Sequence, residues 1–401
     1  MVINLPKYRY WSYRYLKKAA GLLLRKNGSP LPGTNILIYP PFPSRTVLDG
    51  TLRKLNWYYP VKKSTVFTLP VSSKEMAAGE PTAETYRFIP RRDIVWKDFD
   101  AIWIYDRRAL KHPRILARLH KTTVVDPSFY SVTEVSHWCD LLFENYSPGE
   151  KQELERLSKE NFARFTKLNA SRKSAYCFLT GPSFENYNRL NIDKNAPWIF
   201  CNSIVKNDDF MANVKPTDLL TFADPVFHFS HNRYARTFRE DVARVVERYR
   251  CFIMTHRRYM PLLLHHYPSL EKQLIGVDHC DSFNFPHVQN LCTRPTGNIL
   301  TLFMLPAASS LCDTVYLLGA DGREQNENYF WKHNPSVQYG DLMADAFREH
   351  PSFFRDRHYG DYYQRHIHIL EEMFKMGEGM GKSYVSLTPS FIPAVQARYR
   401  E

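Results

Sequence analysis

The sequence is short of the features that mark disulfide, zinc, nucleic-acid or membrane-spanning proteins. Its seven cysteines (Cys139, Cys177, Cys201, Cys251, Cys280, Cys292, Cys312) are odd in number, scattered, and form no C-x-x-C pair. That excludes a recognisable disulfide framework or zinc module. Most lie inside apolar runs, as reduced buried thiols do, so a reducing compartment is expected. No apolar stretch is long enough to span a bilayer: Ala19-Ala20-Gly21-Leu22-Leu23-Leu24 is closed by Arg25 and Lys26. No small-residue cleavage site comes after it, which argues against a signal peptide. Recognition-helix and RNP signatures are missing, so nucleic acid ranks last among partners. Internal repeats and low-complexity segments are missing as well.

What remains is a chain of 401 residues, 44% hydrophobic and 14% aromatic, with a formal charge of +13. The length predicts two α/β domains plus an extension, with ample material for cores. The charge points to a polyanionic partner: nucleic acid, an anionic membrane surface or an acidic sugar polymer. Residues 7–26, KYRYWSYRYLKKAAGLLLRK, mix Lys and Arg with Tyr, Trp and Leu at helical spacing. That composition suits an interfacial helix on anionic lipid, or else a basic helix packed on the body of the protein. The placement expected is cytoplasmic, and peripheral at the inner membrane face if that helix docks on lipid.

The expected organisation is a basic arm and linker over 1–34, an α/β domain over 35–147, a charged helical hinge over 148–173 and a second α/β domain over 174–401. Short, apolar, β-branched runs predict strands at Asn35–Tyr39, Thr65–Leu69, Ala101–Tyr105, Thr122–Asp126 and Leu141–Glu144 in the first domain. The second domain offers Ala175–Leu179, Trp198–Cys201, Leu219–Ala223, Arg250–Thr255, Thr314–Leu318 and Ser383–Leu387, with helices over 233–249, 297–311 and 361–376. Pro40-Pro41-Phe42-Pro43-Ser44 lacks the glycines of a dinucleotide fingerprint and reads as a structural loop.

The chemistry concentrates at strand ends. The first candidate strand runs into Thr180-Gly181-Pro182-Ser183, where glycine permits close backbone approach and two hydroxyls can bind phosphate or ribose. A second strand ends in Asn202, a third in Asp224-Pro225, and Thr314–Gly319 delivers Asp321. In an open parallel sheet such ends converge on one crevice. Thr296-Gly297 leads into an apolar helix, with Thr296 near its cap. No D-x-D ends a strand; Asp278-His279-Cys280-Asp281 has the wrong gap, so a metal is not expected.

This order of motifs resembles the bacterial sialyltransferase-like family over roughly residues 174–390. The resemblance implies two Rossmann-like domains, the C-terminal one with a GT-A-like core. It also implies a metal-independent, inverting transfer of a sugar, sialic acid or Kdo for example, from a CMP-sugar donor to a glycan acceptor of a cell-surface polysaccharide. By that resemblance Thr180, Gly181, Pro182, Ser183 and Asn202 contact the nucleotide, and Thr296 and Gly297 the sugar. Asp224 and Asp321 complete the binding set. Tyr329 steadies the leaving phosphate and His358 acts as base, with His350 and His333 as competitors. His366 and His368 are expected to pack or face solvent. The family turn reads G-N-G-P-S, whereas here Leu179 and Thr180 replace the first two residues. Arg323 stands near a second tyrosine's place, where a guanidinium could still neutralise charge. Two other readings are a pterin-pyrophosphokinase-like phosphotransferase, which needs clustered carboxylates for Mg²⁺, and a non-catalytic membrane-surface scaffold with a degenerate pocket.

Overall fold

A computed structural model describes residues 5–23, 35–58, 66–71, 86–129, 133–323, 335–356 and 359–400. The expected linker over 28–34 and Tyr329, His333 and His358 lie outside the described residues.

The chain divides into two compact units. The first holds Met1–Glu150 together with Phe229–Asn232 and Ala344–Arg357; the second holds the rest. The first unit is built on strands β1 (Asn35–Tyr39), β2 (Val66–Val71), β3 (Tyr86–Pro90), β4 (Ala101–Ile104) and β5 (Thr122–Val124), in the order β3-β2-β1-β4-β5. Every pairing in it is parallel. The inner strands β1, β2 and β4 are nearly continuous apolar runs because both faces are covered. The crevice between β1 and β4, where such a sheet could take a ligand, is filled from within. Phe42 stacks on Tyr105 with ring centroids 4.9 Å apart, and the Tyr105 hydroxyl donates to Pro41 O at 3.0 Å.

The expected strand at Leu141–Glu144 is instead the end of a helix, Thr133–Glu144. Val135, Trp138, Cys139 and Leu142 are buried together, a spacing of three and four residues that only a helix puts on one face. Trp138 then packs edge-on to Trp103 of β4, with centroids 4.4 Å apart. Tyr86–Pro90 is a strand the sequence pattern did not show, since only one of its five residues is buried.

The helix Pro148–Asn169 opens on a capping box. The Ser147 hydroxyl accepts the Glu150 N–H, and the Glu150 carboxylate accepts the Ser147 N–H. The second unit's sheet contains β6 (Ser174–Phe178), β7 (Trp198–Cys201), β8 (Leu219–Thr221), β9 (Phe252–His256), β10 (Leu274–His279), β11 (Cys292–Thr293), β12 (Thr314–Leu318) and β13 (Ser383–Ser386). Their order is β11-β10-β9-β8-β7-β6-β12-β13, again parallel throughout. From β6 the chain winds outward through β7 to β11, then returns to the opposite side of β6 as β12. The strand order therefore reverses between β6 and β12, the place where loops diverge and leave a crevice. Helices Arg233–Tyr249 and Tyr359–Gly379 fall where their apolar periodicity predicts. The expected helix over 297–311 is a π-turn at Leu300–Met304 followed by helix Leu305–Leu311.

Candidate functional site

At the switch point the turns after β6 and β12 are stitched together by their backbones. The Leu179 N–H donates to Leu318 O at 2.8 Å and the Gly181 N–H to Gly319 O at 3.1 Å. This approach explains two glycines. A Cβ on Gly181 would overlap the Asp321 carboxylate and the Gly319 carbonyl. Gly319 has a φ of +82°, and a Cβ there would strike the Leu179 carbonyl.

Asp321 is held from three sides. Its Oδ2 accepts the Ser183 N–H at 2.8 Å, and its backbone carbonyl accepts the Phe391 N–H at 2.7 Å and the Ser390 hydroxyl at 3.1 Å. Burial raises its pKa, opposed by the hydrogen bonds from Ser183. The Ser183 hydroxyl lies 2.9 Å from that of Thr388, beyond β13. Three loops, after β6, β12 and β13, thus meet on one spot, with the end of β7 beside them.

They enclose a cavity of about 470 Å³, within the range of about 300–1,000 Å³ usual for small-ligand sites. Thr180, Gly181, Pro182, Ser183, Asn202, Asp321 and Arg323 all line it. The structure brings those predicted residues together. It adds Cys201, Asn298 and Ser390, and from the helix Tyr359–Gly379 it adds Tyr362, Tyr363 and His366.

Asn202 is unusual in two ways. Its φ of +51° puts it in the left-handed region, which asparagine enters more readily than other residues with a Cβ but at a cost that the surroundings must impose. Its amide oxygen is buried and accepts no hydrogen bond from any described residue. A buried acceptor without a donor costs about 1–3 kcal/mol. Strain and an unanswered acceptor on one residue in a cavity are what a ligand-binding position shows.

Arg323 is buried, with its guanidinium carbon 5.4 Å from the Tyr363 ring centroid. The Tyr363 hydroxyl donates to Arg323 O at 3.0 Å, which ties the helix to the loop after β12. Tyr362 donates through its hydroxyl to the Gly297 carbonyl. Gly297 and Thr296 stand beside the cavity lining, in the turn that Asn298 organises. Asn298 Oδ1 accepts the Leu300 N–H at 2.9 Å, so Asn298, and not Thr296, caps the turn. The Thr296 hydroxyl is taken up locally, accepting from Thr301 at 2.9 Å.

Asp224 does not line the cavity. Its Oδ1 accepts the N–H groups of Val226 and Phe227, and its own N–H donates to His228 Nδ1 at 2.9 Å. It shapes its own turn. His350 belongs to the first unit, near His231 and its ion pair with Glu349.

The two helix histidines separate as their spacing dictates, because residues two apart face opposite sides. His368 is exposed beside Glu372, while His366 is buried and lines the cavity. Burial lowers the His366 pKa to about 4, so its imidazole is neutral near pH 7, and its Nδ1 has no described partner. The strand-end rule that singled out Ser183 and Asn202 applies equally to Ser390, after Ser383–Ser386. His366 and the two tyrosines carry no such signal. No protein-family model, curated protein or solved structure matches this chain.

Proposed function

We propose that the second unit is a glycosyltransferase that takes its sugar from a nucleotide donor, a CMP-sugar, bound in the cavity between β6 and β12. The observation that carries this reading is Asn202. Its buried amide oxygen, without a donor among the described residues, sits at a strand end across from the Gly181 turn, where a ribose hydroxyl or base amine would supply one. The Gly181–Ser183 turn and the Thr180 hydroxyl suit a single phosphate, and Arg323 supplies a cation for the charge that develops on it. Asp321 is the one carboxylate among the described lining residues, and Asp224, which a Mg²⁺-dependent pyrophosphoryl transfer would want beside it, is committed to its turn.

In this reading an acceptor hydroxyl attacks the anomeric carbon, the C–O bond to the CMP phosphate breaks, and the acceptor proton passes to a base. CMP is already a competent leaving group once a cation neutralises it. His358 is the base proposed, immediately before the helix that supplies Tyr362, Tyr363 and His366 to the cavity. Tyr329 remains the candidate to steady the leaving phosphate, and a surface glycan the candidate acceptor. Calorimetry with CMP, followed by hydrolysis of CMP-sialic acid and CMP-Kdo with and without EDTA, tests the reading. No CMP binding, or turnover of ATP in place of either donor, would discard it.

A further inference from the structure

The N-terminal helix Leu5–Leu23 belongs to the first unit and is fixed to it by one face. Tyr13 is buried there. Its hydroxyl donates to Thr122 O at 2.6 Å, and its ring meets Phe129 edge-on at 6.1 Å. Lys17, one turn on, donates to the Thr123 hydroxyl at 3.3 Å.

At 100° per residue, Tyr8, Trp11, Tyr15 and Leu22 fall within an arc of about 60°, and Tyr13 points about 180° away from its centre. Those four side chains are among the most exposed large apolar groups of the described residues, at 60%, 51%, 75% and 58%. Arg14 and Lys18 border the same stripe and are exposed, Arg14 with its guanidinium 5.3 Å from the Trp11 ring. The chain has no Asp or Glu before Asp49, while Arg9, Arg14, Lys17, Lys18, Arg25 and Lys26 all precede it. None of the described helices is long and apolar enough to cross a membrane.

We infer that this outward stripe is a docking surface for an anionic lipid membrane, with the helix lying flat in the headgroup region. Tyr and Trp suit that layer because each has an apolar body and a polar tip. The adjoining cations meet anionic headgroups, and one stripe of four side chains gives reversible, peripheral attachment. Tyr13 sets the face: by holding the helix against the first unit, it leaves the aromatic side no choice but to point outward. A duplex nucleic acid would use the cations and leave Tyr8, Tyr15 and Leu22 in water. The aromatic content of the stripe therefore favours lipid.

The test is co-sedimentation of the full chain with vesicles of equimolar phosphatidylglycerol and phosphatidylcholine, and with phosphatidylcholine alone. The expected result is binding to the anionic vesicles only. Arg14→Gln with Lys18→Gln should lower partitioning about 30-fold. Trp11→Ser with Tyr15→Ser should lower it about tenfold or more, with thermal melting unchanged because both side chains are exposed. Equal binding to the two vesicle types would overturn the inference, as would wild-type partitioning by both variants. So would binding of duplex DNA, lost in the charge variant, by a chain that ignores vesicles.

Discussion

Replacing Asn202 with Gly should stabilise the ligand-free protein and weaken its hold on CMP, two effects of opposite sign from one side chain. The φ of +51° costs nothing for Gly and about 1 kcal/mol or more for a residue with a Cβ. Removing the amide also removes a buried oxygen that no described residue satisfies, a further gain of about 1–3 kcal/mol. Against these stands the greater freedom of Gly in the unfolded chain, about 0.4–1 kcal/mol. The balance is a gain of about 1–4 kcal/mol, or a rise in melting temperature of about 2–14 °C for a unit of this size. If the amide oxygen accepts a hydrogen bond from bound nucleotide, its loss weakens CMP by about 1–2 kcal/mol, a factor of about 5–30 in Kd. Differential scanning fluorimetry without ligand and calorimetry with CMP measure the two separately. A variant that melts below wild type would refute the argument from strain and unpaired burial. One that melts higher yet binds CMP unchanged would show that the oxygen faces no ligand.

Gly181→Ala forces a methyl group onto the Asp321 carboxylate and the Gly319 carbonyl; it should cost about 1–3 kcal/mol in urea denaturation and remove CMP binding. The second unit should be acid-labile in a defined window. His366 has its pKa lowered to about 4 by burial, so between about 6.5 and 4 the unfolded chain takes up a proton that the folded chain refuses. Stability therefore falls as pH drops through that window, by about 3 kcal/mol at its lower end, and His228, lowered to about 3, adds to the slope. Urea midpoints from pH 7 to pH 4 should fall more steeply for wild type than for His366→Gln, and parallel curves would contradict the assignment. His358→Ala should abolish sugar transfer while leaving CMP affinity nearly intact, measured by product analysis and calorimetry. Unchanged turnover would move the search for the base to His366 or Asp321.

Elements with an unmistakable period were legible in the sequence. Ser174–Phe178, Trp198–Cys201 and Thr314–Leu318 are apolar on both faces and bounded by turns, and Arg233–Tyr249 keeps a helical stripe for its whole length. Leu141–Glu144 misled because four apolar-rich residues read alike in either period; the helix is evident only when Val135 and Trp138 join the pattern. Leu274–His279 escaped because it ends in Asp278 and His279, and Tyr86–Pro90 because an exposed edge leaves little to bury.

Sequence alone determined that several strands would end in hydroxyl, amide and carboxylate groups, because local composition dictates which runs become buried parallel strands and which polar residues terminate them. It had no means of fixing the order in which those strands pair. Only folding put β12 beside β6, setting Asp321 2.8 Å from the Ser183 N–H and drawing Ser390 into the same crevice. Only packing turned His366 inward and His368 outward on one helix, and left Asp224 capping its own turn. Strand identity is a local property; strand adjacency, and with it any site shared between loops, is settled by long-range burial.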